Sequence, residues 1–299
     1  MYKILVVDDE PGIRSMLQDF LETDYQVTVC SNAEEALNQV KDTVFDLVIS
    51  DINMPGMKGY VLLQKIKSSS PETRTVLITA YNVDEYVRLA RSHGICNIIS
   101  KTTPFNFDEL ETLVRGLTTG DIFGIEKHLN AEQTILGRYT VKNSTEAKTV
   151  RNQVVESLPD IPRDLNEVKL VLDEIITNAI YHASVLETGD KKYEEYNFIN
   201  LAESEYIQVD IGRDEEKVCI GIVDSQGNLD KDRVLYLIDR HVHSEGIFDE
   251  SGRGIFMSRL FSDRIIINIS PKQKTEFIII FYLSEEPFKG YKPIYINQL

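Results

Sequence analysis

The sequence predicts an α/β protein, with a doubly wound parallel sheet in its first half and an α+β sandwich in its second half. Over residues 1–118, short apolar runs alternate with helical patterns, which indicates a parallel sheet covered on both faces. Beyond residue 137, two helical patterns are followed by four strand-like runs with turn residues between them. This second pattern is typical of a mixed, largely antiparallel sheet with helices on one face.

The first half contains five predicted strands and five predicted helices. The strands are Lys3–Val7, Gln26–Cys30, Leu47–Ser50, Val76–Thr79 and Asn97–Ser100. The helices are Ile13–Leu21, Ala33–Val40, Val61–Ile66, Val83–Arg91 and Phe107–Leu117. In a doubly wound sheet, functional side chains are expected at the carboxyl ends of the strands.

Polar residues lie where those predicted strands end. Asp8 and Asp9 close the first strand and Asp51 closes the third. Three converging acids would repel one another unless a cation lay among them, and hard oxygen ligands favour Mg²⁺. Thr79 ends the fourth strand and Lys101 follows the fifth. A hydroxyl and an ammonium group beside the acids can hold the oxygens of a phosphoryl group on Asp51.

This set of residues resembles a response-regulator receiver domain over about residues 1–118. The resemblance rests on Asp8-Asp9, Ser50-Asp51-Ile-Asn-Met-Pro-Gly-Met-Lys-Gly59, Ile78-Thr79-Ala80 and Ser100-Lys101. It implies a flavodoxin-like fold and an upstream sensor histidine kinase as the partner that supplies the phosphoryl group.

The resemblance also implies a role for each matching residue. Asp51 is the implied phosphoacceptor, and Thr79 and Lys101 the implied contacts to the phosphoryl oxygens. The implied Mg²⁺ ligands are Asp9, Asp51 and the backbone carbonyl of Asn53, with Asp8 assisting.

Two positions depart from the receiver pattern. Receiver domains usually carry proline directly after the lysine, whereas here Thr102 and Thr103 precede Pro104. The aromatic residue that usually lies three positions before the lysine is replaced by Ile98. We therefore expect the turn after Lys101 and the switching residue to differ from those of the family.

In the second half, Glu174 and Asn178 lie four residues apart in an amphipathic helical pattern, and hence on one helix face. Taken alone, this segment favours an amphipathic helix with two solvated polar residues over a binding site. However, Asp224 and Gly227 follow a strand-like run, and Gly252-Arg253-Gly254 precede a further helical pattern. Glycines before a helix present backbone N–H groups to phosphate. Together the three segments predict a Mg–nucleotide site, in which an amide oxygen ligates the cation and a carboxylate accepts a proton.

The three segments resemble the motifs of the GHKL (Bergerat-fold) ATPases, and most closely those of the anti-sigma-factor serine kinases, over about residues 137–285. The resemblance implies that Asn178 ligates Mg²⁺, that Glu174 is the general base, and that ATP is the substrate. Asp224, Gly227 and Thr275 are the implied adenine-side residues. Gly252, Arg253 and Gly254 are the implied phosphate-binding residues, under a lid over roughly 228–251. The first glycine segment, Asp224-Ser-Gln-Gly227-Asn, has one glycine fewer than the family's usual pattern.

The expected domain organisation is a receiver at 1–118, a linker at 119–136, an ATP-binding domain at 137–285 and a tail at 286–299. The linker carries Ile122, Phe123, Ile125 and Leu129, and we expect it to pack against one or both domains. The tail shows no strong pattern.

Composition excludes several functional classes. The net charge of −16 argues against direct nucleic-acid binding, which needs clustered lysine and arginine. No apolar run approaches the roughly 20 residues that span a bilayer. The amino-terminal residues show no cleavable signal, and the three cysteines are widely separated, so we expect a cytoplasmic protein.

These features predict a two-component signalling protein whose ATPase domain binds Mg–ATP and phosphorylates a serine or threonine of an anti-anti-sigma (STAS) protein. A sigma factor is the expected competing ligand. One alternative is a nucleotide-binding module that sequesters partners without catalysis. A histidine-kinase-related protein is a second alternative, but none of the five histidines lies on a long helical hairpin. Homodimer formation is left open.

Overall fold

The computed structural model describes residues 1–186, 188, 190–195, 197–243, 245 and 253–299. The chain divides into two compact units. The first unit comprises Met1–Asp121 and Phe288–Tyr295, and the second comprises Ile122–Pro287 and Ile296–Leu299. Within the described residues, no helix combines the length and apolarity needed to cross a bilayer.

The first unit is built on a parallel sheet with the neighbour order β2-β1-β3-β4-β5. Its strands are β1 (Lys3–Val7), β2 (Gln26–Cys30), β3 (Leu47–Asp51), β4 (Arg74–Thr79) and β5 (Asn97–Ser100). Its helices are α1 (Pro11–Leu21), α2 (Ala33–Asp42), α3 (Gly59–Ser69), α4 (Val87–Ser92) and α5 (Phe107–Thr119). The predicted flavodoxin-like fold is confirmed.

The buried strands explain this sheet. All five residues of β3 are buried, as are four of the five residues of β1. Strands that are covered on both faces read as continuous apolar runs, as these do. Helix ends are fixed by side-chain caps: Asn32 accepts a hydrogen bond from the Glu35 N–H, and Asn106 accepts one from the Glu109 N–H.

The helix predicted at Val83–Arg91 is divided in the structure. A 3-10 turn covers Val83–Tyr86, and α4 begins at Val87. Asn82 accepts a hydrogen bond from the N–H of Asp84, only two residues further on, which favours a tight turn over an α-helical start.

The second unit contains an antiparallel sheet with the neighbour order β9-β10-β8-β7-β6. Its strands are β6 (Thr134–Val141), β7 (Ile207–Arg213), β8 (Lys217–Asp224), β9 (Arg264–Ser270) and β10 (Lys274–Tyr282). Its helices are α6 (Glu146–Glu156), α7 (Leu165–Tyr181), α8 (Lys231–Val242) and α9 (Arg253–Phe261). Helix α7 packs against α6 and α9. This unit is therefore a mixed α and β structure with an antiparallel sheet.

The segment expected to be a linker contributes core residues to the second unit from residue 122 onward. Ile122, Ile125 and Leu129 are buried. The N–H of Gly124 donates to the Glu276 carboxylate at 3.0 Å, and the side chain of Asn268 donates to the Ile122 carbonyl at 2.6 Å. Burial of these apolar side chains and two hydrogen bonds hold the segment in place.

The carboxy-terminal tail contains a strand that the sequence did not reveal, β11 (Ile294–Gln298). Its first four residues are buried. A run of five residues without alternation of apolar and polar side chains gives little periodic signal, which explains why it was missed.

Candidate functional site

The first cluster of polar side chains lies at the carboxyl ends of β1, β3 and β5. The Lys101 Nζ is 2.9 Å from Asp8 Oδ2, 2.8 Å from Glu10 Oε1 and 2.7 Å from Asp51 Oδ1. Parallel strands bring their carboxyl ends to one edge of the sheet, so residues far apart in sequence meet there. One ammonium group thus faces three carboxylates.

Burial and ion pairing oppose each other in this cluster. Burial raises the pKa of the Asp8 carboxyl, while Lys101 lowers it. Burial also disfavours the charged form of Lys101, but its bonds to Asp51, Glu10 and Asp8 outweigh this and hold the pKa of its ammonium well above the usual range. Lys101 therefore stays charged at neutral pH, ready to bind an anion.

The same carboxylates are suited to a divalent cation. Ligand oxygens of Asp8, Glu10 and Asp51 all lie within 4.8 Å of one another. The buried Asp8 Oδ2 makes no hydrogen bond of ordinary geometry to any described residue, although Lys101 pairs with it by charge. Oxygen ligands at this spacing fit Mg²⁺.

Glu10 is the member of the cluster that the sequence reasoning missed. Its backbone N–H donates to Asp8 Oδ1 at 2.9 Å, and this turn directs Glu10 toward Lys101. Asp9, which the resemblance named as a ligand, is exposed and lies outside the group of three carboxylates. The run of three acidic residues, Asp8-Asp9-Glu10, was the sequence feature that could have indicated Glu10 as a site residue.

Backbone contacts fix the remaining predicted residues of this site. The N–H of Asn53 donates to Asp51 Oδ2 at 2.5 Å, and its carbonyl remains the predicted ligand. Thr79 is buried, and its carbonyl accepts the Lys101 N–H at 2.7 Å. At Gly59, the first residue of α3, a methyl group would lie 1.9 Å from the Asp51 carbonyl oxygen. Only glycine permits this approach, which brings the first residue of α3 against the Asp51 backbone.

In the second unit, α7 and the first turn of α9 meet at Glu174. A methyl group on Gly254 would lie 2.3 Å from Glu174 Oε2. Burial and the neighbouring Asp173 raise the pKa of the Glu174 carboxyl, and Arg253 lowers it. Asn178 follows one turn later on α7 and is half-buried, while Gly252 lies outside the described residues.

Asp224 and Thr275 also meet, since they are directly opposite in the antiparallel register of β8 and β10. Asp224 Oδ1 accepts the N–H groups of Gln226 at 2.9 Å and Gly227 at 3.1 Å. Burial raises the pKa of the Asp224 carboxyl, which these bonds and Thr275 lower. The Thr275 hydroxyl is buried beside this carboxylate. The pair therefore offers a buried carboxylate with a hydroxyl next to it.

The segment expected to be a lid, roughly 228–251, contains a helix. Lys231–Val242 forms α8, capped by Asp230 and with Val234, Leu235 and Ile238 buried. Arg240 donates to the Tyr236 hydroxyl and the Glu245 carbonyl. The apolar spacing of this helix and its cap explain why this part of the expected lid is helical. Residues 244 and 246–252 lie outside the described residues.

Comparison with known proteins finds a family match for the first unit. Residues 4–115 match the family described as "Response regulator receiver domain". The "Sporulation initiation phosphotransferase F" of Bacillus subtilis is 33% identical over 114 residues, which are 38% of this chain and 90% of that protein. The chain belongs to the response-regulator receiver family. Receiver domains bind Mg²⁺ at an acidic pocket, here the cluster of Asp8, Glu10 and Asp51, and interact with upstream histidine kinases or phosphotransfer partners.

Two further relatives are response regulators. "Response regulator Rre1" of Synechocystis is 39% identical over 118 residues, covering 38% of this chain and 50% of that protein. "Two-component response regulator ARR14" of Arabidopsis thaliana is 30% identical over 189 residues, covering 57% of this chain and 48% of that protein. The chain thus spans about half the length of these two relatives.

Proposed function

We propose that this receiver-family protein is a phosphorylation-regulated signalling protein whose second unit binds Mg–ATP and phosphorylates a serine or threonine of a partner protein. The observation that carries the second half of the proposal is the contact of Glu174 with the first turn of α9 at Gly254. It sets a carboxylate of raised pKa beside backbone N–H groups suited to phosphate.

In the first unit, Asp51 is the proposed phosphoacceptor and a phosphohistidine of a sensor histidine kinase the donor. The Asp51 oxygen forms a bond to phosphorus as the phosphorus–nitrogen bond breaks. Lys101 and the Thr79 hydroxyl then hold the phosphoryl oxygens. Mg²⁺ would be held by the carboxylates of Asp8, Glu10 and Asp51. The receiver resemblance adds the Asn53 carbonyl and the neighbouring, exposed Asp9 as further ligands.

The first experiment tests phosphorylation of Asp51. The full chain is incubated with Mg²⁺ and acetyl phosphate, and the bound phosphate is located by mass spectrometry. We expect one phosphate on the wild-type chain, none on Asp51→Asn, and wild-type behaviour for Asp24→Asn, which changes an exposed acid of the same unit. Equal labelling of Asp51→Asn would exclude Asp51 as the acceptor.

In the second unit, the proposed ATP site uses residues from both helix and sheet. Asp224 accepts a hydrogen bond from the exocyclic amine of adenine, with Gly227 in the adjoining turn and the Thr275 hydroxyl beside it. Asn178 ligates Mg²⁺. Gly252, Arg253 and Gly254 bind the phosphates at the start of α9.

The proposed reaction is phosphoryl transfer to a protein hydroxyl. Glu174 takes the proton of the serine or threonine hydroxyl as its oxygen bonds to the γ-phosphorus and the bond to ADP breaks. Burial supports this role, because it raises the pKa of Glu174 toward neutral pH. The proposed substrate is an anti-anti-sigma (STAS) protein, and a sigma factor is the proposed competitor for the same surface.

One observation favours a second candidate, a nucleotide-binding module that sequesters partners without catalysis. The turn after Asp224 holds a single glycine, Gly227, and the Gly227 carbonyl accepts the Lys272 N–H from the β9–β10 turn at 3.0 Å. This hydrogen bond fixes the turn after Asp224 against the β9–β10 hairpin. A fixed turn can support nucleotide binding and still disfavour the conformational changes that catalytic turnover requires.

The second experiment separates these candidates. Partners are captured from cells with the full chain and incubated with γ-labelled ATP. For Glu174→Gln we expect transfer to fall by about 100-fold or more, with ATP affinity little changed. Glu167→Gln, on the same helix, is the matched control. Transfer at the full rate by Glu174→Gln would exclude Glu174 as the base, and ATP binding without any transfer would favour the module.

A further inference from the structure

The carboxy-terminal segment Phe288–Tyr295 belongs to the first unit and lies along β5. Ile294 and Tyr295, the first residues of β11, pair antiparallel with Ile98 and Asn97. The Tyr295 hydroxyl donates to Glu109 Oε2 on α5 at 2.8 Å. A segment nearly two hundred residues away in sequence thus adds to the edge of the receiver sheet.

The same segment contacts the residues on either side of Lys101. The Tyr291 N–H donates to Ser100 Oγ at 3.2 Å. A methyl group on Gly290 would lie 2.9 Å from Thr102 Cγ2 and 3.1 Å from Ser100 Oγ. Ser100 and Thr102 are both buried. The backbone that carries Lys101 is therefore enclosed by the segment.

The turn after Lys101 is paired with the segment as well. The Thr103 N–H donates to the Lys289 carbonyl at 2.8 Å, and the Lys289 N–H donates to the Thr103 carbonyl at 3.0 Å. Thr102 and Thr103 are the two residues that separate Lys101 from Pro104, where the receiver pattern has proline directly after lysine. The two threonines that depart from the receiver pattern therefore lie where the segment pairs with the turn after Lys101.

We propose that residues 288–295 are a positioning element of the phosphorylation site, which holds Lys101 in place through Ser100, Thr102 and Thr103. The proposal rests on phosphorylation of Asp51. Lys101 pairs with Asp51 at 2.7 Å, and in the proposed function it binds the phosphoryl oxygens after transfer, so phosphorylation changes the group that Lys101 contacts. Docking of the segment and phosphorylation are consequently coupled, and the coupling is reciprocal.

The test compares two alanine substitutions in the full chain. Gly290→Ala places a methyl group against Thr102, whereas a methyl group at Gly12 meets no described atom within 4 Å. After phosphorylation with acetyl phosphate and removal of the donor, the lifetime of the phosphoaspartate is measured. Hydrogen exchange at 289–291 reports whether the segment has left the receiver.

We expect Gly290→Ala to speed exchange at 289–291 and to change the phosphoaspartate lifetime about fivefold or more, with Gly12→Ala unchanged in both. Phosphorylation of the wild-type chain should alter exchange at the same residues. Tyr295→Phe, with exposed Tyr291→Phe as its control, repeats the comparison with the loss of one hydroxyl if Gly290→Ala fails to fold.

Faster exchange at 289–291 with an unchanged lifetime would overturn the proposal. So would phosphorylation of the wild-type chain on Asp51 that leaves exchange at 289–291 unchanged, because the coupling is reciprocal. A wild-type chain that takes no phosphate on Asp51 would instead overturn the proposed function, on which the coupling depends.

Discussion

At the residue scale, Lys101 balances charge in the receiver site. It faces Asp8, Glu10 and Asp51, so the cluster keeps an excess of negative charge that a divalent cation can neutralise. Asp8 is fully buried, and a buried carboxylate without a cationic partner is unstable. Lys101 therefore stabilises the site before phosphorylation and can bind the phosphoryl group after it.

Substitution of Gly59 tests whether α3 approaches the Asp51 backbone as closely as the structure shows. Gly59→Ala places a methyl group 1.9 Å from the Asp51 carbonyl oxygen, so α3 or the end of β3 must shift. We expect a loss of about 1–3 kcal/mol in the stability of the first unit and slower labelling by acetyl phosphate. Thermal unfolding and labelling rates measure both.

The control for that prediction is Gly12→Ala, where the added methyl group meets open space. In a helix, this change is expected to be neutral or slightly stabilising. Equal stability and equal labelling of the two variants would contradict the tight approach of α3 to Asp51.

At the scale of elements, one carboxylate holds the segment between α7 and β7. Glu205 accepts hydrogen bonds from Lys192 Nζ at 2.5 Å, the Tyr193 hydroxyl at 2.6 Å and the Ala202 N–H at 3.0 Å. Burial alone raises the pKa of the Glu205 carboxyl, but these bonds lower it to about 2. Ionised Glu205 therefore stabilises its contacts with Lys192, Tyr193 and Ala202.

This arrangement gives a pH dependence of known sign. The folded pKa of Glu205 lies below the ordinary value of 4.5, so its contribution is complete above pH 4.5 and is lost as the pH falls toward about 2. Glu205→Gln should cost about 1–2 kcal/mol at neutral pH, because partial exposure of Lys192 weakens the pair.

The measurement is the difference in thermal midpoint between wild type and Glu205→Gln from pH 7 to pH 2. It should shrink toward zero across the acidic part of this range. Glu203→Gln, at an exposed site in the same turn, is the control and should show a small difference throughout. A constant difference for Glu205→Gln would show that ionisation is not its source.

Elements with strong local signals were predictable from sequence. The bounds of β1, β2 and β5 were predicted as they stand, because short runs rich in β-branched residues lie between turn residues there. The helix α8 lies within the expected lid at roughly 228–251, and no helix was predicted there. β11 was missed because its pairing is long-range, with Ile98 and Asn97, and leaves no periodic pattern.

The candidate sites were predictable in part for the same reason. Strand ends placed Asp8, Asp51 and Lys101 together, since parallel neighbours share an edge. Glu10 was not predicted, because the direction of its side chain depends on a turn. In this turn Asp8 Oδ1 accepts a hydrogen bond from the Glu10 N–H. The contact between Glu174 and Gly254 depends on how two helices pack, and only a resemblance could suggest it.

At the scale of the whole molecule, the chain joins a receiver to a unit with its own polar site. A net charge of −16 disfavours nucleic acid as the target of signalling, which supports a protein partner. For phosphorylation to regulate the second unit, the two states of the receiver must bias the activity of that unit.

The most direct test of the central claim is calorimetric titration of the full chain with Mg–ATP. We predict saturable binding in the wild type and at least about tenfold weaker binding in Asp224→Asn, which replaces one acceptor oxygen by a donor. Asp210→Asn, on β7, should bind as the wild type does. No binding heat and no thermal stabilisation of the wild type at millimolar Mg–ATP would contradict the account.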